Sequence, residues 1–151
     1  MSYQISFESS PSQQDTQVLC DGISTHAQKM KGLQVIDFFA FFIRDAQGKI
    51  QGGCNGDNLY GCLYIGQLWV AELLRGQGYG TKLMQAAEQY AKERNCNFMT
   101  VNTMDWEALG FYQKLGFEIE FERHGFAKNS VFYFLRKNLI TQEKSKPSPE
   151  A

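Results

Sequence analysis

The stretch "LLRGQGYGTKLM", residues 73–84, decides the fold because it joins a strand to a helix through three closely spaced glycines. An aromatic and β-branched run ends in "LWV", residues 68–70, just upstream. Downstream, Thr81–Arg94 carries apolar residues at three- and four-residue steps, which is typical of an amphipathic helix. A glycine-rich loop at a helix start brings free backbone N–H groups and the positive end of the helix dipole together. The stretch therefore predicts an anion-binding turn, with a merely tight strand-to-helix turn as the alternative.

Phosphate is the anion that this turn favours. Glycine at positions 78 and 80 allows the backbone to approach a ligand closely and to adopt conformations that a side chain would forbid. Arg75, just before the loop, can add a charge-assisted hydrogen bond to a phosphate oxygen. Three glycines with an arginine at a helix start favour phosphate binding over a simple turn.

Two common phosphate motifs are absent from the loop. The Walker pattern needs lysine before serine or threonine, whereas this chain has Thr81 before Lys82. The dinucleotide fingerprint lacks its third glycine, whether it is counted from Gly76 or from Gly78. ATP and NAD are therefore both disfavoured as ligands.

The composition indicates one folded domain. The chain has 151 residues, of which 43% are hydrophobic, and 12 of them are phenylalanine, which is ample for a packed core. We expect a single domain over residues 1–139 and a disordered polar tail over residues 140–151. A net charge of -1 provides no basic surface for nucleic acid, which is therefore not expected as a partner.

The cysteine and histidine spacing predicts neither a metal site nor a disulfide framework. No C-x-x-C pair is present and the two histidines lie far apart, so zinc spacing is absent. The N-terminal residues 1–17 have no basic leader and no apolar core, which argues against a signal peptide. We therefore expect a cytoplasmic protein with reduced thiols. No apolar run approaches the roughly 20 residues that a membrane helix needs, so no membrane association is expected.

The first half of the chain, after a less regular N-terminal segment, reads as consecutive strands. Residues 34–43, "QVIDFFAFFI", are apolar on both faces and predict a strand that is covered on both sides. A turn over residues 44–49 leads to a second strand from Ile50, and residues 61–70 form a third. Short polar loops between them favour antiparallel pairing. The N-terminal segment predicts an edge strand at "YQISFE", residues 3–8, and then one broken helix or two short ones.

The second half alternates strands and helices. Residues 96–102 predict a buried strand, and residues 105–117, "DWEALGFYQKLGF", predict a short helix. Asp105 is expected as its N-cap and Gly116 as its left-handed C-cap. Two further strands, over residues 117–123 and 131–136, complete an α/β (α+β) domain with a mixed, mostly antiparallel sheet flanked by helices.

Two segments together resemble the GNAT superfamily of N-acetyltransferases. Residues 75–80, "RGQGYG", are similar to the family's acyl-CoA signature, in which Gln or Arg is followed after two residues by Gly and then, one residue later, by Gly or Ala. "WV", five residues upstream, stands where the family has its fourth strand. Residues 108–117, "ALGFYQKLGF", resemble the family's second signature. The resemblance extends over about residues 33–139 and is closest to small bacterial members.

The resemblance implies an acetyl-CoA-dependent enzyme that acetylates a primary amine by direct attack, without a metal. It implies that Tyr112 lies near the CoA sulfur as general acid, which suits a departing thiolate. Strand backbone would contact the pantetheine arm and the thioester carbonyl, and the loop N–H groups would hold the pyrophosphate. The cofactor-binding residues implied in this way are Leu68, Trp69, Val70, Arg75, Gly76, Gln77, Gly78, Tyr79, Gly80 and Thr81.

The general base is the least defined part of the expected site. Where many relatives have a glutamate, twelve residues before the tyrosine, this chain has Thr100. Asp105 and Glu107 are the candidates for base or substrate contact, and each could equally serve as a helix cap or first-turn charge. His26 has a suitable intrinsic pKa near 6.5 but reads more simply as a surface or packing residue.

Other functions stay open at this point. Relatives often carry an acidic residue both at the position of Thr100 and before "LWV", where this chain has Gly66 and Gln67. The absence of both carboxylates favours, as an alternative, a CoA-binding regulatory or interaction module without catalysis, and a purely structural domain is a third reading. Tyr112 could also be a core aromatic, since aromatic residues at helical spacing usually are. The acceptor could be a small molecule or a peptide amine. A homodimer through strand edges is a further expectation for this architecture.

Overall fold

The computed structural model describes residues 1–139, which divide into two compact units, Met1–Ile36 and a unit that begins at Asp37. Each unit has its own internal structure, and the expected single domain over residues 1–139 stays a prediction. The expected disordered tail, residues 140–151, lies outside the described residues. The helices and strands are α1 (Gln13–Lys31), β1 (Asp37–Arg44), β2 (Ile50–Leu59), β3 (Cys62–Val70), α2 (Tyr79–Glu93), β4 (Phe98–Met104), α3 (Leu109–Lys114), β5 (Glu118–Arg123) and β6 (Phe132–Asn138).

The first unit contains a single helix, which corrects two expectations. Residues 3–8 form no strand, and α1 is neither broken nor divided. The helix begins after Ser12, whose Oγ accepts a hydrogen bond from the Asp15 N–H at 3.1 Å, and it ends at Gly32 with φ +65°. Capping at both ends offsets the cost of about 1 kcal/mol that Gly22 imposes on the helix interior.

The second unit is a six-stranded sheet in the order β1-β2-β3-β4-β6-β5. All neighbouring strands are antiparallel except β3 and β4, which are parallel and are connected through α2. The predicted mixed, mostly antiparallel sheet flanked by helices is therefore confirmed. The parallel pair matters for function because its connection is the glycine-rich stretch.

The strand β1 differs from its prediction as a strand covered on both sides. Phe39 and Phe41 pack against the core, but the alternate side chains Phe38 and Phe42 are 62% and 51% exposed. A run that is apolar on both faces predicts burial of both, yet among residues 1–139 only the face that packs toward α2 is covered. The other face of the sheet consequently presents large aromatic side chains.

The core lies between α2 and one face of the sheet. The helix turns its small and apolar side chains toward the strands, as the predicted three- and four-residue spacing requires. Gly116, with φ +96°, follows α3 and reverses the chain into β5, which is the predicted left-handed termination. The central buried residues are Leu63, Ile65, Leu83, Met84, Ala87, Ala91, Met99, Val101 and Leu135.

Candidate active site

A local irregularity separates the two parallel strands. β3 and β4 pair only where Cys62–Ile65 lies beside Phe98–Val101. Beyond that point Gly66 forms a bulge opposite β2, and the backbones approach so closely that a Cβ on Gly56 would lie 1.7 Å from the Tyr64 carbonyl oxygen. Past the bulge, the β3 backbone groups that face β4 have no strand partner within the described residues 1–139. A cleft opens at this point.

The bulge also sets the direction of the side chains at the end of β3. Side chains alternate between faces, and one extra residue moves every later side chain to the opposite face. Leu68 and Val70 therefore follow Ile65 onto the core side, whereas Trp69 lies on the other face and is 54% exposed. This change of face occurs within "IGQLWV", residues 65–70, but the alternation of side chains along a regular strand does not predict it.

The turn into α2 presents a series of unpaired donors. Gly76 and Gly78 have φ values of +76° and +85°, and a Cβ built on either would meet nothing within 4 Å. The first N–H of this segment to bond within the helix is that of Lys82, which donates to the Gly78 carbonyl oxygen. From Gly76 through Thr81, the backbone N–H groups have no acceptor among residues 1–139. Together with the helix dipole they form an anion-binding concavity.

Gly80 serves a different purpose from the one expected. It has helical backbone geometry rather than a positive φ, so it does not provide a conformation that a side chain would forbid. A Cβ at this position would lie 3.3 Å from the Phe111 ring, which is tighter than an ordinary contact. The missing side chain therefore lets α3 approach the first turn of α2.

Side chains fix the loop before α2. The Arg75 Nε donates to the Val70 carbonyl oxygen at 3.0 Å, which ties the loop to the end of β3. The Gln77 Nε2 donates to the Leu73 carbonyl oxygen at 3.1 Å. Arg75 lines the cleft with its guanidinium still able to donate from its outer nitrogens, whereas Gln77 is not among the lining residues.

The cleft that these elements enclose has a volume of about 780 Å³. That volume falls in the range of about 300 to 1,000 Å³ that small-molecule sites occupy. Four of its lining residues, Leu74, Trp106, Ala108 and Phe111, were not anticipated. Ala108 and Phe111 were assigned to the core because they are apolar residues at helical spacing. Ten of the residues that line it were expected from the sequence: Leu68, Trp69, Val70, Arg75, Gly76, Gly78, Tyr79, Gly80, Thr81 and Glu107.

Tyr112 lies on α3, directly after the cleft residue Phe111. Its side chain is 5% exposed and packs edge-on against Phe111 and Phe117. Burial, assisted by the charges of Glu107 and Cys54, raises the pKa of the Tyr112 hydroxyl to about 12. The hydroxyl makes no hydrogen bond within residues 1–139, yet it is not a fully buried unsatisfied group. It is a protonated donor at neutral pH that is free for an acceptor.

Asp105 does not cap α3, contrary to expectation. The helix begins at Leu109 without a side-chain cap, because the residues just before it form turns. The Asp105 Oδ1 accepts a hydrogen bond from the Val131 N–H at 3.2 Å, and its own N–H donates to the Val131 carbonyl oxygen. The carboxylate thus joins the turn before α3 to the start of β6, and it does not line the cleft.

Glu107 is the carboxylate that reaches the cleft. One of its oxygens, Oε1, accepts from the Met104 N–H at 2.9 Å, which fixes the side chain at the end of β4. Thr103 supports the same turn, because its Oγ1 accepts from the Ala108 N–H at 3.1 Å. His26 belongs to α1 in the first unit. The structure therefore brings Glu107 to the cleft and gives Asp105 a structural partner.

Residues 1–139 contain neither a cluster of metal-ligating side chains nor a membrane-spanning helix. In that part of the chain, no group of three or more potential metal-ligating side chains comes together. Within the same residues, no helix combines the length and the apolar character that crossing a membrane requires.

Known proteins resemble this chain in sequence and in fold. An acetyltransferase of Agrobacterium fabrum is 39% identical over 75 residues, which are 50% of this chain and 55% of that protein. Blasticidin-S acetyltransferase of Streptomyces morookaense is 33% identical over 85 residues, which are 56% of this chain and 62% of that protein. The chain thus matches little more than half the length of these curated relatives.

The fold has close counterparts among solved structures. A crystal structure of an acetyltransferase from Bacillus cereus superposes with a TM-score of 0.71 at 23% identity, covering 89% of this chain and 98% of the other. At that identity the likeness concerns the fold. The family model of the acetyltransferase (GNAT) family matches residues 14–117, which include both the turn into α2 and the helix that carries Tyr112. The chain belongs to the GNAT acetyltransferase family.

Proposed function

We propose that this protein transfers an acetyl group from acetyl-CoA to a primary amine by direct attack of the amine on the thioester. The observation that carries the proposal is the row of unpaired N–H groups from Gly76 through Thr81, which opens on a cleft that continues along the end of β3. CoA has the matching chemistry, because it carries a pyrophosphate at one end and an extended pantetheine arm at the other.

The residues of the turn fit a pyrophosphate. Side chains at Gly76 and Gly78 would project into the space that the phosphates need, and at both positions that space is empty of protein atoms. Arg75 can pair with a phosphate oxygen through its outer guanidinium nitrogens while its Nε stays on the Val70 carbonyl. The unpaired backbone of β3 past the bulge can bond to the amide groups of the pantetheine arm. The cleft therefore has donors for the pyrophosphate and for the amide groups of the pantetheine arm.

Tyr112 is the proposed general acid. In the reaction the amine nitrogen forms a bond to the acetyl carbon, the carbon–sulfur bond breaks, and the departing thiolate takes a proton. A hydroxyl with a pKa of about 12 is protonated throughout the physiological range, and that of Tyr112 has no competing acceptor among residues 1–139. An N–H of the β3 backbone in the cleft can stabilise the developing oxyanion.

Glu107 is the better of the two candidate bases. The amine must lose a proton, and Glu107 lines the cleft with one carboxylate oxygen, Oε2, that makes no hydrogen bond among the described residues. Asp105, the other candidate, is occupied by the Val131 backbone and lies outside the cleft lining. We propose that Glu107 receives the proton directly or through a water.

A CoA-release assay with a panel of amines tests the function. The panel contains a polyamine, lysine, an aminoglycoside, a peptide N-terminus and simple alkylamines, each with a reaction lacking amine as the background. We expect at least one amine class to accelerate CoA release and to yield an acetylated product by mass spectrometry. If no amine does so while acetyl-CoA binds, the enzyme assignment is wrong.

A CoA-binding module without catalysis is the second candidate. It is favoured by one observation, namely that Glu107 and Asp105 both accept hydrogen bonds from backbone N–H groups and so have a structural use. Such a module would show a CoA-dependent rise in melting temperature without acetyl transfer to any amine. A purely structural domain would show neither.

Location and assembly are further parts of the proposal. All four cysteines are free thiols, which supports a reducing compartment such as the cytoplasm. A homodimer could form at the edge strand β5, because all six of its residues are exposed. Sedimentation at several protein concentrations tests the homodimer.

A further inference from the structure

A second, smaller cavity lies on the aromatic face of the sheet. Its volume is about 210 Å³, and Gly53 in β2 is among the residues that line it. Gly53 is paired with Phe42 on one side and with Trp69 on the other. Residues directly opposite one another in antiparallel strands point to the same face, so the two aromatic side chains flank a position that has no side chain. Phe42, Gly53 and Trp69 define what we call the aromatic slot.

The width of the aromatic slot suits a flat ring. Its two aromatic walls stand on strands that are two spacings apart, which places their backbones about 10 Å from each other. Phe42 and Trp69 are each about half exposed, and the Arg44 guanidinium lies over the Phe42 ring, 5.2 Å from its centroid. The ring surface that is left for a ligand is therefore the part of Phe42 that Arg44 does not cover, together with Trp69. A side chain on Gly53 would collide with the Phe41 carbonyl oxygen and the Phe42 ring. The edge of the Phe42 ring thus reaches over Gly53, 2.9 Å from where its Cβ would stand, and the open part of the slot lies between that ring and Trp69.

One end of the aromatic slot is polar but uncharged. Asn55 and Gln67 occupy the next row of the sheet, and the Asn55 Nδ2 donates to the Gln67 Oε1 at 2.8 Å. The Gln67 Nε2 and the Asn55 Oδ1 keep a donor and an acceptor without partners among residues 1–139. No Asp, Glu, Lys or Arg belongs to the described lining. A neighbouring donor and acceptor match a lactam edge, in which a ring carbonyl stands next to a ring N–H.

The aromatic slot adjoins the proposed active site. Trp69 lines both the slot and the large cleft, where it lies between Leu68 and Val70. Those residues belong to the strand end at which the proposed function places the thioester. A molecule held in the slot therefore contacts Trp69, the residue that the slot and the cleft share.

We propose that the aromatic slot binds the body of the amine acceptor, and that this acceptor carries a flat, uncharged heterocycle with a lactam edge. The ring lies between Phe42 and Trp69, its lactam edge pairs with Gln67 and Asn55, and its amine arm extends into the cleft. This assignment rests on the proposed function and names the acceptor class for the same site. Stacking on aromatic side chains and hydrogen bonding to amides together provide the selectivity.

Two amines that share an aminoethyl arm provide the test. The first, 1-(2-aminoethyl)uracil, has the flat ring and the lactam edge, and the second, 2-cyclohexylethylamine, has neither. Binding of each is measured by calorimetry and acetylation by CoA release, in the wild type, in Phe42→Ala and in Phe38→Ala. Phe38→Ala is the matched control, because Phe38 is an exposed phenylalanine on the same face of the same strand that does not line the slot.

The expected result is a selectivity that depends on Phe42. The wild type should bind the uracil amine at least about tenfold more tightly than the cyclohexyl amine, since stacking one base on an aromatic side chain gives about that factor. Phe42→Ala should lose about tenfold in affinity for the uracil amine, and Phe38→Ala should retain it. Equal binding of the two amines by the wild type, or equal effects of the two substitutions, would overturn the proposal.

The two readouts separate this inference from the proposed function. If the uracil amine binds in a Phe42-dependent manner but no CoA is released, the slot assignment stands and the enzymatic function fails. If both amines are acetylated with the same kcat/KM and bind equally well, the function stands and the slot assignment fails.

Discussion

Tyr112 combines the two properties that its proposed role requires, and both come from its surroundings. Its ring packs against Phe111 and Phe117, and this burial is the main reason that its pKa rises to about 12. The charge of Glu107 acts in the same direction, because a nearby anion disfavours a phenolate. Helical spacing alone predicts that Tyr112 is an ordinary core residue. The residue is core by packing, while its hydroxyl is left without a partner among the described residues.

Replacing Tyr112 with phenylalanine should lower kcat by about 100-fold, because general acid catalysis contributes factors of about 10² to 10⁴. Affinity for acetyl-CoA should change little, and the free energy of unfolding should stay within about 0.5 kcal/mol of the wild type, since the hydroxyl makes no hydrogen bond that folding needs. Steady-state kinetics and a denaturant titration measure these effects. Tyr90→Phe, on α2 against Phe39, is the control and should keep full kcat.

The raised pKa of Tyr112 gives the same prediction a pH signature. An acid with a pKa of about 12 keeps its proton as the pH rises from 7 to 10, so kcat should show no alkaline decline in that range. An unperturbed tyrosine would be half ionised near pH 10. A wild-type kcat that halves near pH 10, with the decline absent from Tyr112→Phe, would contradict the environment described for this hydroxyl.

At the scale of elements, α2 has to be held firmly, because its first turn forms the proposed phosphate site. Glu88 of this helix forms ion pairs with Lys92, also in α2, and with Lys137 in β6. Burial opposes ionisation of Glu88, but hydrogen bonds from Lys137 and Lys92 outweigh it and lower the pKa of the carboxyl. Lys137 also packs beneath Gly116, where α3 ends. One carboxylate thus connects α2 to the strand beside α3.

Glu88→Gln should therefore lower the free energy of unfolding at pH 7 by about 1 kcal/mol, the upper part of the range for partly exposed ion pairs. The loss should fade as the pH falls below the ordinary glutamate pKa, because a carboxyl with a lowered folded pKa stabilises only while it is ionised. Urea titrations at pH 7 and pH 4 measure both effects. Glu93→Gln, at the exposed end of the same helix, should lower the free energy of unfolding at pH 7 by less than half as much. Equal losses in the two variants would contradict the stabilising role of the ion pairs of Glu88.

The sequence predicted the positions of most helices and strands better than it predicted how they are covered and paired. The helical spacing after Thr81 predicted α2 within two residues, and the turn residues placed β1, β2 and β3 in order. The uncovered face of β1 could not be predicted, because an apolar run does not say how many layers the chain provides. The bulge at Gly66 depends on the register with β2, which no local pattern specifies. The continuity of α1 through Gly22 depended on caps whose effects outweigh the glycine.

The part of the candidate site that consists of backbone N–H groups could be predicted from the sequence. The part that depends on hydrogen bonds between distant side chains and backbone groups could not. The glycines and the helix start at residues 76–81 identified the unpaired N–H groups. The hydrogen bond from Val131 to Asp105 joins segments 26 residues apart, and no spacing rule would have found it. The same limit applies to Trp106, which reaches the cleft from the turn before α3 and donates to Ser130.

At the scale of the whole molecule, every described part of the candidate site belongs to the unit that begins at Asp37. The bulge separates β3 from β4, the returning helix α2 places its first turn at the gap, and α3 closes the other side. Each element alone is ordinary. Their combination places an anion site and an unpaired strand backbone along one cleft, as an extended thioester cosubstrate requires. Tyr112 follows the cleft residue Phe111 on α3 but is not itself among the lining residues.

Titration of acetyl-CoA by calorimetry into the wild type, Gly78→Glu and Gly48→Glu tests this central claim most directly. The two glycines have nearly the same φ, +85° and +83°, and open space where a Cβ would stand, so the substitutions add the same charge and the same backbone strain. Gly48 lies in the turn between β1 and β2, away from the cleft lining. The account predicts binding to the wild type and to Gly48→Glu, and its loss in Gly78→Glu. Undiminished binding to Gly78→Glu, or none to the wild type, would contradict it.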